Sequence, residues 1–166
     1  MRRRQAIAAC AAAALAGCSG GRPDAGARWP ALAVRDLGGR PLTLPAASGG
    51  ARVINLWALW CPPCRRELPA LDRLAAVLAP RGVEVSTIAV AEDGFAIREY
   101  LTQHGLALRA VVIPGGLPGL EPLRVQALPQ TFAVAASGAV LARWVGERAW
   151  DDPAVRRELD RALQTS

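Results

Sequence analysis

The sequence predicts an α/β fold: a central mixed sheet with helices on both faces and an N-terminal hairpin. Apolar strand-like runs alternate with helical patterns through the middle of the chain, and the last third carries a hairpin signal followed by one more helix. The third observation is a strand of fully buried type that runs straight into a helix opening with Trp60-Cys61-Pro62-Pro63-Cys64.

Taken in order, Ala31 to Arg35 and Pro41 to Leu44 flank Leu37-Gly38-Gly39-Arg40 and read as a short hairpin. Arg52 to Trp60 is continuously apolar with Val, Ile and Trp, the pattern of a central strand covered on both faces. Residues 62–79 place Leu68, Leu71, Leu74, Ala75 and Leu78 at helical spacing, with Pro80 and Gly82 as stops. Pro69 lies inside that helix and is expected to kink it, because proline lacks the amide donor and crowds the carbonyl four residues back. Val83 to Val90 returns to strand character, and Asp93 is placed to cap a helix from Gly94 to about His104. Ala110 to Ile113 predicts a strand, Pro114 to Pro122 a Gly/Pro loop, and Leu123 to Gln126 a helical turn. Thr131 to Ala135 and Val140 to Val145 flank Ser137-Gly138 as a second hairpin, and Asp152-Pro153 supplies the N-cap and first position of a last helix.

The amino terminus has the layout of an export signal. Arg2, Arg3 and Arg4 precede an apolar run from Ala6 to Ala16 that is too short for the ~20 residues of a spanning helix. Arg2 to Arg4 also suit a twin-arginine route, although the residues after them fit that pattern poorly. Leu15-Ala16-Gly17-Cys18 resembles the bacterial lipobox, which implies that residues 1–17 are a lipoprotein signal, that Cys10 leaves with it, and that Cys18 becomes the lipid-bearing terminus. The alternative is an ordinary cleaved signal with Cys18 as a spare thiol. Residues 18–28, rich in Gly, Pro and small side chains, read as a tether, and 29–166 as one domain. Without residues 1–17 the chain keeps 17 arginines against 14 acidic residues, a net charge of about +3. The arginines are scattered among acids with no basic block, which argues against a nucleic-acid partner.

The chemistry rests on Cys61 and Cys64. The other two cysteines, Cys10 and Cys18, lie at the amino terminus and His104 is the single histidine, so no second ligand pair exists for a structural zinc site. Spacing and context indicate a thioredoxin-like redox pair and no metal. With Cys61 as N-cap, its sulfur meets the positive helix end, which lowers a thiol pKa from ~8.5 into the range ~3.5–7.5. Cys61 is therefore the expected attacking sulfur and Cys64, one turn deeper, the resolving one. Pro63 at the second helical position has no N–H to offer the sulfur and leaves Cys64 as donor, so the thiolate is only modestly stabilised and the couple is expected to be reducing.

Around the pair, Trp60 is read either as a docking surface or as core, and Trp57 as core. Glu67, three residues past Cys64 on the same helical face, is either a proton shuttle for the buried thiol or a solvated carboxylate beside Arg65 and Arg66. Composition alone makes the Leu128–Pro129 bond trans. His104, in Gln103-His104-Gly105, reads as a polar helix-end residue.

Trp60-Cys61-Pro62-Pro63-Cys64, Pro69, and Leu128-Pro129-Gln130-Thr131-Phe132 before a hairpin resemble the thioredoxin-like fold, specifically the TlpA/ResA-like branch of membrane-anchored thiol-disulfide oxidoreductases, over roughly residues 29–165. The resemblance implies a cis Pro129 beside the cysteines, reversing the expectation from composition. It implies a substrate groove involving Trp60, Pro62, Pro63 and Leu128, and it links Glu67 to thiol reactivity. Ordinary thioredoxins carry a buried aspartate where this chain has Asn55, which leaves Glu67 as the candidate base and Asn55 as a hydrogen-bonding strut. The implied activity is protein disulfide reduction in the cell envelope, on the periplasmic or extracytoplasmic side. Exported clients of cytochrome c maturation or copper-site assembly, a membrane thiol carrier as electron donor, and no cofactor beyond the Cys61–Cys64 disulfide complete the expectation. Ser19 after the anchor favours release toward an outer membrane. Two other readings are a thioredoxin-like copper-binding or delivery module, for which the cysteine spacing and the setting of His104 are poor, and a peroxidase, whose residue pattern is missing around Cys61.

Overall fold

A computed structural model of the chain describes residues 27–44, 49–91 and 93–164. The expected signal over 1–17, Cys10, Cys18 and the tether up to residue 26 lie outside the described residues.

Among the described residues seven strands form one sheet in the order β2-β1-β5-β4-β3-β6-β7. They are β1 (Leu32–Asp36), β2 (Pro41–Leu44), β3 (Arg52–Trp57), β4 (Glu84–Val90), β5 (Arg109–Ile113), β6 (Gln130–Val134) and β7 (Val140–Val145). The described residues also form three helices, α1 (Pro62–Leu78), α2 (Phe95–Gln103) and α3 (Pro153–Leu163), and two 3-10 segments, Ala79–Arg81 and Leu117–Leu123. The mixed sheet follows from the connections. β3, β4 and β5 are joined through helices and run parallel, whereas the β1–β2 and β6–β7 hairpins and the β3–β6 and β1–β5 pairs are antiparallel.

β3 sits between β4 and β6 with all six of its residues buried, as its unbroken apolar run requires. It ends at Trp57, three residues short of the expected Trp60, because the chain must turn before α1: the Cys61 N–H donates to the Ala58 carbonyl at 3.1 Å. α1 continues through Pro69 as a single helix. Pro69 is exposed and so is Arg65, whose carbonyl loses its partner, so the missing bond falls on the solvent side. The opposite side buries Leu68, Leu71, Leu74 and Leu78, each 2% exposed or less.

Asn55 and Trp57 of β3 project from one face of the sheet. Asn55 bonds Glu67 of α1 and Trp57 meets Tyr100 of α2 at 5.6 Å between ring centroids, so α1 and α2 lie on that face. On the other face Phe132 meets Trp29 edge-on at 5.3 Å and shares a recess with Arg28, Pro30, Pro122 and Leu123, so the 3-10 segment Leu117–Leu123 and the entering chain cover it. This segment begins six residues before the helical turn expected at Leu123. The prolines that suggested a loop, Pro118 and Pro122, fix φ near the value a 3-10 helix needs.

In the first hairpin the Asp36 carboxylate accepts from the Gly38 and Arg40 amides, both at 2.9 Å, and Gly39 adopts φ +89°. Gly94, N-cap of α2, packs on that turn so closely that a Cβ would lie 2.4 Å from the Leu37 Cα. Asp93 accepts from the Phe95 amide at 2.9 Å, one residue before the cap itself. Asp152 caps α3 through the Ala154 and Val155 amides, as its place before Pro153 predicts.

The ladder gives the sheet two unlike poles. Arg52 pairs with Val134, and near that end the Val140 N–H donates to the Ala27 carbonyl at 2.8 Å. Leu56 pairs with Gln130 at the other end, from which the chain continues to Cys61.

Candidate active site

Cys61 is the N-cap of α1 in extended conformation (φ −104°, ψ 98°), and Cys64 lies one turn in. They form a disulfide with Cα atoms 5.3 Å apart. Cys61 is 5% exposed and Cys64 fully buried, so the first sulfur is the one nearer solvent. Pro62 and Pro63 fill the first two helical positions, and the Arg65 N–H donates to the Cys61 carbonyl at 3.2 Å. The first turn therefore offers Cys61 the Cys64 N–H alone, and the Cys61 side chain makes no capping bond in the disulfide.

Glu67 is 2% exposed, which overturns its reading as a solvated carboxylate beside Arg65 and Arg66. The arginines point outward and the glutamate inward, because i and i+3 share a face with Cys64. Oε1 accepts from Asn55 Nδ2 at 2.7 Å, and Oε2 accepts from the Arg148 N–H at 3.0 Å and from Trp150 Nε1 at 3.1 Å. Asn55 Nδ2 also donates to Thr131 Oγ1 at 2.9 Å, making Asn55 the strut between α1 and β6. Burial pushes the Glu67 carboxyl above its ordinary pKa, against the pull of its three N–H donors; the negative charge of Glu147 adds to the rise.

The Leu128–Pro129 bond is cis, the outcome that the resemblance implied and composition did not. Pro129 is buried, its carbonyl accepts from the Gly146 N–H at 2.9 Å, and it directly precedes β6 at the pole that carries the disulfide. Trp60 is 63% exposed beside the pair, so of its two readings the core one is excluded, while Trp57 is fully buried. Pro62 is exposed, and Pro63 and Leu128 are half-buried. His104 ends α2, stacked on Tyr100 at 4.0 Å with Nδ1 2.8 Å from the Tyr100 carbonyl oxygen. Among the described residues no group of three or more His, Cys, Asp or Glu could hold a metal.

Sequence reasoning missed Trp150, the Arg148 amide and Thr131. The only signal was indirect: a buried carboxylate on α1 needs donors, and a tryptophan shortly before a capped helix is one that apolar surroundings tolerate.

Residues 24–159 match the redoxin family. The chain belongs to that family. A redoxin with a Cys-x-x-Cys disulfide at the start of its first helix is a thiol-disulfide oxidoreductase. Among similar proteins, the thiol-disulfide oxidoreductase ResA of Bacillus anthracis is 29% identical over 123 residues, 74% of this chain and 70% of the relative. A thiol:disulfide interchange protein DsbE homolog of Paracoccus denitrificans is 37% identical over 117 residues, 69% of this redoxin and 62% of the relative. A thiol:disulfide interchange protein of Chlorobium tepidum superposes with TM-score 0.63 at 25% identity, covering 84% of this chain and 95% of that one. A secreted Mycobacterium tuberculosis disulfide oxidoreductase gives TM-score 0.63 at 21% identity over 81% and 96% of the two chains, a likeness of fold.

Proposed function

We propose that this redoxin works outside the cytoplasm as a reductant of disulfides in exported proteins. The observation that carries the reading is a nearly buried Cys61 at a helix start with proline at the first two of the three first-turn positions, over a buried Glu67 one turn beyond Cys64. A sulfur offered one amide instead of three gains little thiolate stabilisation, and a weakly stabilised thiolate belongs to a reducing couple.

In the reduced protein the Cys61 thiolate attacks a client disulfide, forming one S–S bond and releasing one client thiolate. Cys64 then gives up its proton and attacks Cys61 Sγ, closing the Cys61–Cys64 disulfide and expelling the second client sulfur. Two electrons pass to the client; the Cys64 proton and one proton from solvent complete its two new thiols. Glu67 is the base for the Cys64 proton, and it returns that proton to solvent or to the departing thiolate. Pro129 and Leu128, with Trp60, Pro62 and Pro63, form the groove that receives the client chain. Re-reduction falls to a membrane thiol carrier, with Cys18 as lipid attachment. Clients in cytochrome c maturation or copper-site assembly are those that the TlpA/ResA-like resemblance implies, and the Leu15-Ala16-Gly17-Cys18 signal supports an exported setting.

Replacing Cys64 by Ser tests it, since attack by Cys61 then stops at a mixed disulfide. The expected result is a covalent complex with an exported cysteine protein, released by reductant. No trapped complex, or a potential near the ~−120 mV of a strong oxidant, overturns the reading.

A further inference from the structure

The two oxygens of Glu67 are held unequally. Oε2 takes the Arg148 peptide N–H and the Trp150 indole N–H, both of which can only donate. Oε1 takes one donor, Asn55 Nδ2, and keeps a lone pair. A proton on Oε2 would displace one of these two N–H donors, whereas a proton on Oε1 leaves all three bonds in place. We propose that Trp150 and the Arg148 amide reserve Glu67 Oε2 as a permanent acceptor, so that the Cys64 proton is taken on Oε1, with Trp150 a positioning residue of the redox site.

The proposal rests on the reading of Glu67 as base for Cys64. The Trp150 ring is fixed by its surroundings, since it is 1% exposed and meets Trp144 edge-on at 5.6 Å. Trp144 Nε1 in turn donates to Glu158, which also pairs with the Arg148 guanidinium at 2.7 Å. One acidic side chain of α3 thus ties β7, through Trp144, to Arg148, the first of the two Oε2 donors. The charged side chains of α1 beside Glu67 face solvent, Arg65 among them. On α1, Arg66 pairs with Glu147 and Arg73 with Asp151; β3 and β6 contribute the uncharged Asn55 and Thr131. The donors on the carboxylate are all neutral N–H groups, and each one lowers its proton affinity against the burial that raises it.

The test titrates the Glu67 carboxyl by carbon-13 NMR in the oxidised protein, where the cysteines do not titrate, with and without Trp150→Phe. Losing one donor to the charged form raises the carboxyl pKa; the expected change is about half a unit or more, roughly a threefold gain in proton affinity. In the reduced protein, the pH profile of disulfide reduction moves the same way, and Trp150→Phe adds no shift in a Glu67→Gln background. If Phe does not support folding, site-specific 3-benzothienylalanine at 150 keeps the bicyclic shape without the N–H. An unmoved carboxyl titration in an otherwise folded variant overturns the positioning role. If Glu67→Gln alone leaves the pH profile unchanged, it is the base assignment that fails, and the inference with it.

Discussion

Arg66 and Glu147 form a bidentate ion pair at the surface, with contacts of 3.0 and 2.6 Å, one residue away on each side from the part-buried bond between Glu67 and the Arg148 amide. The outer pair shields the inner one: α1 and the loop after β7 are clipped together at the point where the carboxylate receives its backbone donor. Arg73–Asp151 continues the clip seven residues further along α1, about two turns, and Arg81–Asp160 ties the 3-10 segment after α1 to α3.

Exposed pairs add little to global stability, so the effect of breaking this one is expected to be local. Glu147→Gln should speed hydrogen exchange at the Arg148 amide while the core amides of β3 keep their protection. Because the pair is screened by salt, the difference from the parent should shrink at high ionic strength. Equal exchange in the two proteins at low salt would show that the inner bond needs no outer clip.

Glu67 makes a second expectation about pH. Its pKa is raised in the folded chain, so from the ordinary carboxylate value upward the folded state holds a proton that the unfolded state has lost. Stability contributed by this group is present at low pH and declines as pH rises through the folded pKa. Denaturant unfolding of the oxidised protein across this window should show that decline, and Glu67→Gln should remove it. An identical slope in the variant would mean that another group titrates.

Asn55→Asp offers a harsher perturbation. It sets a second carboxyl within hydrogen-bond range of Glu67 Oε1, where Asn55 Nδ2 now donates at 2.7 Å. Two carboxylates so close cannot both ionise, so one pKa rises steeply. The variant should retain one buried proton at neutral pH, visible as a carboxylic-acid carbonyl band in the infrared spectrum, and should lose stability at alkaline pH. A variant fully ionised at pH 7 would contradict the dry, enclosed environment described for this site.

Gly94→Ala tests the packing of α2 on the first hairpin. The added Cβ would lie 2.4 Å from the Leu37 Cα and 2.5 Å from its carbonyl oxygen, both backbone atoms. Backbone must shift, at a cost of about 1–3 kcal/mol, measurable by chemical denaturation. A neutral substitution would show that the turn moves freely.

What could be read from the chain beforehand was whatever one segment encodes by itself. β3 announced itself by an unbroken apolar run, α1 by leucines at helical spacing, α3 by Asp152-Pro153, and the redox pair by spacing and position. Asn55 was read as a strut through the resemblance, since an amide cannot act as base where thioredoxins carry an aspartate, and it bonds Glu67 and Thr131. The partners themselves were hidden: Trp150 lies 83 residues from Glu67 and Thr131 lies 76 from Asn55, distances over which no local pattern operates. The same limit governed Glu67, whose neighbours Arg65 and Arg66 suggested solvent while its helical phase with Cys64 placed it inside. The misplaced 3-10 segment had another cause, since Pro118 and Pro122 serve a loop and a tight helix equally well.

The entry of the chain beside Val140 and the seat of Cys61 beyond Leu56 lie at opposite ends of strands that run roughly 20 Å. A handle, a fused module or a surface linkage joined upstream of Ala27 therefore grips the molecule by its heel. The sulfur-bearing tip stays free to swing toward whichever dithiol or disulfide comes within range.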